Sequence, residues 1–408
     1  MKNVLVLTYW SFRSGLIQAY TLPYVRMIAR RLSSGGKVFF VTLEQDGLLV
    51  PKDSRAEVRA ELAKDGIEWV PFHYARFGAG AIFKMAVTLI RLWWLSLYKG
   101  VDAIHCFCTP AGALGSLLSL ATGKRLILDS YEPHAEGMLE YGVWKREGLA
   151  FRLLFALERL QTRRAAAVIA TAPGMRDYAL SRYGVALRGF HVKPACVDLE
   201  AFRPDRFDSD RLRRELGLDG KIVAIYAGKT GGTYLDREIF DLLKAASEYW
   251  PGRFRALFLT SDEPDIIYRF CDQARLDKSE LLVRFVDHKD IPGYMAMADF
   301  AITPVKPVPL KRLCAPIKNG EYWAMGLPVI ITPNIASDSE LIAERRIGAV
   351  LTGLDQEAYR AAVREIDGLL QGRPRQELSE TIRGIATEMR SMNLAEDVYT
   401  ALYGPPRT

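Results

Sequence analysis

Short apolar runs and longer stretches of helical spacing alternate along the chain. In the first half the apolar runs are NVLVLT, KVFFVTLE, IEWVPF, DAIHCF, RLILDS and AAVIAT. Helical patterns such as TLPYVRMIARRL, IFKMAVTLIRLWWLSLY and AFRLLFALERLQTRRA separate several of these runs. Strands that alternate with helices are typical of parallel sheets, and runs that are apolar at every position indicate strands covered on both faces. The first half therefore predicts a doubly wound α/β domain.

The same alternation begins again after a charged, proline-containing segment, CVDLEAFRPDRFDSDRLRRELGLDGK. The later runs are KIVAIYAG, RALFLTS, LLVRFVD, ADFAITP, LPVIIT and GAVL. A chain of 408 residues favours two domains, because single cores rarely grow beyond about 250–300 residues. We predict a Rossmann-like N-terminal domain at 1–200, a hinge at 201–215, a Rossmann-like C-terminal domain at 216–390, and a C-terminal helix at 391–408 that packs back on the first domain. Ligands of such sheets bind at the carboxyl ends of the strands, which predicts a central cleft between the domains.

Composition and charge limit the classes of partner. The chain has 55 basic and 48 acidic residues, a net charge of +7 that suits anionic partners or serves solubility alone. Its five cysteines form no CxxC pair, which fits a reducing compartment and gives no support to a zinc site. No stretch has the roughly 18 uncharged apolar residues of a membrane span, and MKNVLVLTYW is interpreted as a first strand rather than a signal peptide. We predict a cytoplasmic protein.

The helical segment IFKMAVTLIRLWWLSLY has two interpretations. An amphipathic helix with basic neighbours would associate peripherally with the inner face of the cytoplasmic membrane, beside a lipid-linked acceptor. A buried crossover helix is the other interpretation. The sequence favours the buried helix, because the segment lies between two predicted strands and has little polar face.

Several common catalytic motifs are missing from the sequence. GKT at 228–230 is not a Walker A loop, because the position five residues before Gly228 is Val223. There is no HExxH or GxSxG pattern, which argues against a metalloprotease or a serine hydrolase. The triplet Asp208-Ser209-Asp210 is interpreted as a solvated helix start rather than as a metal site.

A glycine-rich turn follows the first strand of the second half. IYAGKTGGTYLDREIFDLLK predicts strand, turn and helix in that order. Gly228, Gly231 and Gly232 would let backbone N–H groups approach an anion, and Lys229 would supply a positive charge. The alternative is a plain turn whose glycines serve only a positive φ.

A basic loop leads into a second helix start. The segment FAITPVKPVPLKRLCAPIKNG has four basic residues and no acidic one. Pro316 is predicted near the first helical position, and the N-terminus of that helix favours a bound diphosphate. Glu321 follows about one turn later, and its carboxylate, which only accepts hydrogen bonds, suits the two hydroxyls of a ribose. A glutamate in the first turns is also favoured by the helix dipole alone.

These segments resemble the family 4 glycosyltransferases of the GT-B fold. PIKNGEYWAMGLPVI is similar to the family's nucleotide-sugar signature, in which a glutamate precedes A-x-G-x-P-V-I. DHKDIPGYMAMADFAITP and SELIAERRIGAVL are similar to the segments on either side of it, and VKPACVDLEAFRPD is similar to the interdomain segment. The likeness extends over most of the chain and is strongest over residues 285–350.

The resemblance implies a reaction and a set of partners. A sugar would move with retention from a UDP- or GDP-sugar to a hydroxyl of a saccharide or lipid-linked acceptor, without a metal or another cofactor. The setting would be bacterial cell-envelope polysaccharide or lipopolysaccharide synthesis, with no nucleic-acid partner. A non-catalytic scaffold of the same fold and a GT-B nucleotide-sugar epimerase are the alternatives.

The resemblance also implies that the domain at 1–200 binds the acceptor and that the domain at 216–390 binds the nucleotide sugar, and it assigns roles to residues. Glu321 would bind the donor ribose beside Pro316 and Ile317, and Lys229 would bind the donor diphosphate. The site residues proposed in the first domain are those of its early loop and of LDSYEPHAEGM, namely Ser14, Gly15 and Leu16 near the acceptor and phosphates, and His134 beside the transferred sugar.

Two positions depart from the family pattern. Leu313 stands eight positions before Glu321, where the family has a second glutamate that contacts the donor sugar. Lys318 is assigned part of that missing role. The first loop has a single glycine, Gly15, where two or three are usual. Leu313 supports the scaffold alternative, and the joint presence of Glu321, Lys229 and His134 argues against it.

Overall fold

A computed structural model of the protein describes residues 1–74 and 79–405. The chain divides into two compact units, one made of Met1–Pro194 with the segment from Asn393 onward, the other of Ala195–Met392. The predicted hinge at 201–215 belongs to the second unit. Its Arg213 is buried there, where the guanidinium donates to the Met297 carbonyl at 2.8 Å and pairs with Asp299 at 3.3 Å.

In the residues that the structure describes, the first unit contains seven strands and the helices that connect them. The strands are β1 (Asn3–Leu7), β2 (Lys37–Glu44), β3 (Ile67–His73), β4 (Ala103–Phe107), β5 (Arg125–Tyr131), β6 (Ala167–Ala170) and β7 (Phe190–Val192). The helices are α1 (Leu22–Ala29), entered through a π-helical turn at Ile17–Thr21, α2 (Arg55–Lys64), α3 (Ala79–Tyr98), α4 (Thr109–Thr122), α5 (His134–Glu140), α6 (Leu149–Arg164) and α7 (Met175–Tyr183).

All seven strands form one parallel sheet in the order β3-β2-β1-β4-β5-β6-β7. Leu5 of β1 pairs with Phe39 of β2 on one side and with Ile104 of β4 on the other. Successive strands are therefore added on one side of β1 up to β3 and on its other side from β4 onward, so the strand order reverses between β1 and β4. The six predicted strands are confirmed. The seventh, β7, was not predicted, because three half-exposed or exposed residues give no continuous apolar run.

The second unit repeats this arrangement with six strands. They are β8 (Ile222–Ala227), β9 (Phe254–Leu259), β10 (Leu281–Arg284), β11 (Phe300–Thr303), β12 (Val329–Ile331) and β13 (Gly348–Val350). The helices are α8 (Ser209–Glu215), α9 (Arg237–Tyr249), α10 (Pro264–Ala274), α11 (Ile291–Ala296), α12 (Ile317–Ala324), α13 (Asp338–Arg345), α14 (Gln356–Gly372) and α15 (Arg375–Arg390). A last helix, α16 (Met392–Tyr403), continues into the first unit.

The second sheet is also parallel, in the order β10-β9-β8-β11-β12-β13. Val223 and Ile225 of β8 pack into one apolar cluster, and the alternate residues Ala224 and Tyr226 pack into another. Both faces of the sheet are therefore buried, which is why its strands are apolar at every position. The reversal of direction lies between β8 and β11, and ligands of such sheets bind beside that point.

A buried ionic cluster joins the segment through which the chain leaves the first unit to the segment through which it returns to that unit. Asp129, on the second half of β5, pairs with Lys193 at 3.1 Å and with His105 at 3.1 Å, and it accepts from the Tyr399 hydroxyl at 2.7 Å. Lys193 immediately precedes Pro194, the last residue before the second unit, and Tyr399 lies on α16. One carboxylate thus anchors both segments.

Helix α3 is the crossover between β3 and β4, but the prediction that it is buried is wrong. Leu92 and Ser96 face the protein, whereas Phe83, Trp94 and Tyr98 are 74%, 62% and 85% exposed. A continuous apolar pattern resembles that of a core helix whether its outer side is covered or not. Within residues 1–74 and 79–405, no helix is both long and apolar enough to cross a membrane.

Candidate functional site

Helix α12 is held at the carboxyl edge of the second sheet by two buried side chains. The Ala227 N–H, at the end of β8, donates to the Tyr322 hydroxyl at 3.0 Å. The Thr303 hydroxyl, at the end of β11, donates to the side-chain Oδ1 of Asn319 at 2.5 Å. These are the two strands between which the sheet reverses direction, so the start of α12 lies at the position where such folds bind ligands.

Lys318 crosses from this helix to the glycine-rich turn. A Cβ placed on Gly228 would lie 2.6 Å from the lysine Cε and 2.8 Å from its Nζ, so the glycine leaves room for the ammonium group. The same Nζ lies 3.9 Å from the centre of the Tyr234 ring and 5.7 Å from that of Tyr226. Aromatic faces attract a cation and restrict its movement. The ammonium is therefore positioned beside the turn.

Backbone bonds shape the turn itself. The Gly228 N–H donates to the Leu259 carbonyl at 2.8 Å, and the Gly231 N–H donates to the Leu235 carbonyl at 3.3 Å. Gly231 and Gly232 have φ values of 71° and 60°, which only glycine adopts without strain. These features favour the plain-turn interpretation for Gly231. Lys229 is exposed, and its charge lies beside the end of β8.

Asp262, which the sequence did not single out, binds this turn from the end of the next strand. Its Oδ2 accepts from the Thr230 N–H at 2.6 Å and from the Thr230 hydroxyl at 2.9 Å. The turn after β11 is also paired with the glycine-rich turn, since the Lys306 N–H donates to the Thr233 carbonyl at 3.0 Å. The two turns thus form one connected surface.

Glu321 is buried one turn into α12 and has a partner that the sequence did not reveal. The His288 Nε2–H donates to its Oε1 at 2.8 Å, and the His288 ring packs against Phe202. A carboxylate has about four acceptor positions, so this bond leaves capacity for ribose hydroxyls. His288 therefore fixes the orientation of the carboxylate.

The His288–Glu321 pair predicts a pH dependence of stability. The hydrogen bond and charge of Glu321 raise the pKa of His288 above 6.5, against the opposing effect of burial. The pair's contribution is complete below pH 6.5 and is lost as the pH rises through the folded-state pKa. We expect the excess stability of the wild type over His288→Gln to fall as pH rises from about 6 to about 8, measured by urea unfolding.

His191 is the control for this experiment. Burial lowers the pKa of His191, so the corresponding difference for His191→Gln should rise with pH over the same interval. Parallel behaviour of the two variants would contradict the assignment of the His288 effect to Glu321.

The basic loop lies on a short 3₁₀ turn, Pro309–Leu313, before α12. Pro316 directly precedes the first helical position, in agreement with the prediction, and α12 begins at Ile317. Arg312 donates to the Asn334 side-chain oxygen at 2.7 Å. Leu313 is buried, which accounts for an apolar residue at that position in this chain.

In the first unit, the proposed residues also lie at the carboxyl edge of the sheet. Ser14, Gly15 and Leu16 follow β1, and a Cβ on Gly15 would meet nothing within 4 Å, so no neighbour requires a glycine there. His134 opens α5 after β5. The first turn of α5 is held by Glu158, whose Oε1 accepts from the Ala135 N–H at 2.8 Å.

The structure brings together one group of predicted residues in the second unit, and it places those of the first unit after strands β1 and β5 of one sheet. Lys318 and Gly228 are adjacent, and Glu321 lies on the same short helix. His288, Asp262, Asn319 and Glu158 were missed. His288 and Asn319 had a local signal, because they lie in DHKDIPGYMAMADFAITP and PIKNGEYWAMGLPVI, two segments that resemble the family.

Residues 21–195 match the family model of the glycosyl transferase 4-like domain. The match covers most of the first unit. No curated protein sequence matches the chain. The likeness of the first unit to this family agrees with the resemblance found in the sequence, although the motifs that carried most of that resemblance lie in the second unit.

Solved structures extend the likeness to the fold of the whole chain. WaaG, a glycosyltransferase involved in lipopolysaccharide biosynthesis, has a TM-score of 0.72 at 16% identity, covering 98% of this chain and 100% of that one. HepE from Anabaena, solved with UDP, has 0.71 at 15%, covering 98% and 99%. Sucrose-phosphate synthase from Thermosynechococcus elongatus has 0.72 at 16%, covering 99% and 98%. The predicted pair of Rossmann-like domains of the GT-B fold is confirmed.

Proposed function

We propose that the protein is a glycosyltransferase that uses a nucleotide-diphosphate sugar as its donor. The observation that carries the proposal is the juxtaposition of the α12 N-terminus, the Lys318 ammonium and the Glu321 carboxylate at the carboxyl edge of the second sheet. A cationic end and an acceptor group one turn apart fit the diphosphate and the ribose of one nucleotide. HepE, of similar fold, was solved with UDP and with UDP-glucose.

The chemical demand of the reaction is negative charge that develops on the leaving diphosphate. Lys318, the exposed Lys229 and the positive end of α12 would stabilise that charge, since preorganised donors act most strongly where charge appears. Glu321 would hold the ribose, with His288 orienting it. His134 would contact the transferred sugar, and Ser14, Gly15 and Leu16 would border the acceptor. A metal ion has no assigned role in this scheme.

The finer parts of the proposal rest on the resemblance to family 4. They are retention at the anomeric carbon, a UDP- or GDP-sugar donor, a saccharide or lipid-linked acceptor, and a role in bacterial envelope polysaccharide or lipopolysaccharide synthesis. WaaG supports the last of these, because it is a lipopolysaccharide glycosyltransferase of similar fold.

Nucleotide binding tests the proposal directly. A ligand at a hundredfold excess over its Kd adds about 2.7 kcal/mol to the free energy of unfolding. We expect UDP or GDP, but not CMP, to raise the melting temperature in a panel with ADP and dTDP. The matching sugar nucleotide should then support transfer to an acceptor. If no nucleotide shifts the melting temperature, the donor site is refuted.

The scaffold alternative has one supporting residue, the buried Leu313 in place of a glutamate. A scaffold that retained the nucleotide site would bind a nucleotide without transferring or hydrolysing its sugar. Slow release of free sugar from the bound sugar nucleotide, in the absence of an acceptor, therefore separates the enzyme from the scaffold.

A further inference from the structure

One side of α3 is an exposed apolar stripe. Phe83, Ile90, Trp94 and Leu97 are 74%, 57%, 62% and 46% exposed. Their spacing places them on one face of a helix of 3.6 residues per turn. The opposite face, with Leu92 and Ser96, is buried against the unit. Side chains of this size, in a continuous row on a protein surface, mark an interaction site rather than ordinary surface variation.

The charges along the stripe indicate its partner. Lys84 and Arg91, seven residues apart and both exposed, lie along one edge of the stripe, and α3 contains no acidic residue. A second copy of the chain on this face would bring like charges together, because a two-fold interface opposes the same patch to itself. An anionic surface complements them. Trp94 and the 85% exposed Tyr98 are the residue types that prefer the boundary between lipid and water.

We propose that α3 is a membrane-docking face that lies flat in the headgroup region of an anionic lipid bilayer. Its apolar stripe would enter the interface, and Lys84 and Arg91 would contact lipid phosphates. The further consequence, a lipid-linked acceptor for the enzyme, rests on the proposed glycosyltransfer. The docking itself does not.

Vesicle co-sedimentation of the full-length protein tests the docking face. We expect the wild type to sediment with vesicles of phosphatidylcholine and phosphatidylglycerol, and less so at high salt. Phe83→Ser/Trp94→Ser should weaken this binding about tenfold or more, since the transfer of each aromatic side chain out of water contributes a free energy equivalent to roughly a tenfold change in Kd. Lys84→Gln/Arg91→Gln should remove the preference for anionic over pure phosphatidylcholine vesicles.

Leu180→Ser is the matched control, because Leu180 on α7 is 59% exposed and lies on another helix of the same unit. It should leave vesicle binding unchanged. Ile90→Ser/Leu97→Ser should reproduce the loss, which guards against a folding defect in the first variant. Melting temperatures of all variants should equal that of the wild type, because the replaced side chains are exposed.

Three results would overturn the proposal: a wild type that does not sediment with anionic vesicles, stripe variants that bind as the wild type does, or a wild-type dimer that the stripe variants convert to monomers. Nucleotide-induced stabilisation of Phe83→Ser/Trp94→Ser separates this proposal from the preceding one. A variant that nucleotide still stabilises but that no longer binds vesicles supports the docking proposal. A wild type that nucleotide does not stabilise refutes the donor site and leaves the docking proposal unaffected.

Discussion

Glu321→Ala is expected to remove most of the nucleotide-induced stabilisation of the protein. The carboxylate is buried and oriented by His288, and hydrogen bonds to a charged group each contribute about 1.5–3 kcal/mol. Loss of two ribose contacts should raise Kd roughly a hundredfold or more. A ligand at a hundredfold excess over the wild-type Kd then adds at most about 0.4 kcal/mol instead of about 2.7 kcal/mol. Calorimetric titration and thermal unfolding measure the two quantities.

Two further variants make this result specific. Glu321→Gln keeps the shape of the side chain but loses its charge, and it should bind nucleotide with an intermediate Kd. Glu340→Ala removes an exposed carboxylate from the first turn of α13 and should bind as the wild type does. Equal nucleotide affinity in Glu321→Ala and the wild type would refute the ribose-binding role of Glu321.

Asp129→Ala is expected to be the most destabilising single change in the first unit. It leaves the Lys193 ammonium buried without its carboxylate, and breaking a buried pair in this way costs about 3–5 kcal/mol. The substitution also removes the acceptor of the Tyr399 hydroxyl, which joins α16 to the sheet. Urea unfolding followed by circular dichroism should show a lower midpoint in Asp129→Ala.

The second substitution Lys193→Met should restore much of the stability lost in Asp129→Ala, because the uncompensated charge is then gone. Asp53→Ala, at an exposed position of the same unit, is the neutral control. If the double variant is as unstable as Asp129→Ala, the cost lies in packing and not in the buried charge.

The same cluster predicts resistance to acid. Burial alone would raise the pKa of Asp129, but Lys193, His105 and Tyr399 hold it well below its usual range. A carboxyl whose pKa is lowered by folding stabilises the protein at pH values above its unfolded-state pKa of 3.8. This stabilisation is lost as the pH falls through the folded-state pKa. The difference in stability between wild type and Asp129→Asn should therefore shrink only below pH 3.8.

Local patterns were sufficient for the architecture. Twelve predicted strands occur in the structure, because a strand covered on both faces must be apolar at every position. The turn glycines and the start of α12 were also predictable, since Gly231 and Gly232 adopt positive φ and Pro316 precedes the helix. Asp208 caps α8 by accepting from the Arg211 N–H at 3.0 Å, as expected of a helix start.

What the sequence by itself determined was thus the order of elements, the two Rossmann-like units and the short segments that carry the proposed donor-site residues. The tertiary structure alone decided which side chains meet. His288 and Glu321 are 33 positions apart, and Asp129 and Tyr399 are 270 apart. It also decided that one face of α3 is exposed, because periodicity records that a helix is apolar but not whether another element covers it. Local spacing follows from backbone geometry, whereas pairing across the fold depends on how the elements pack.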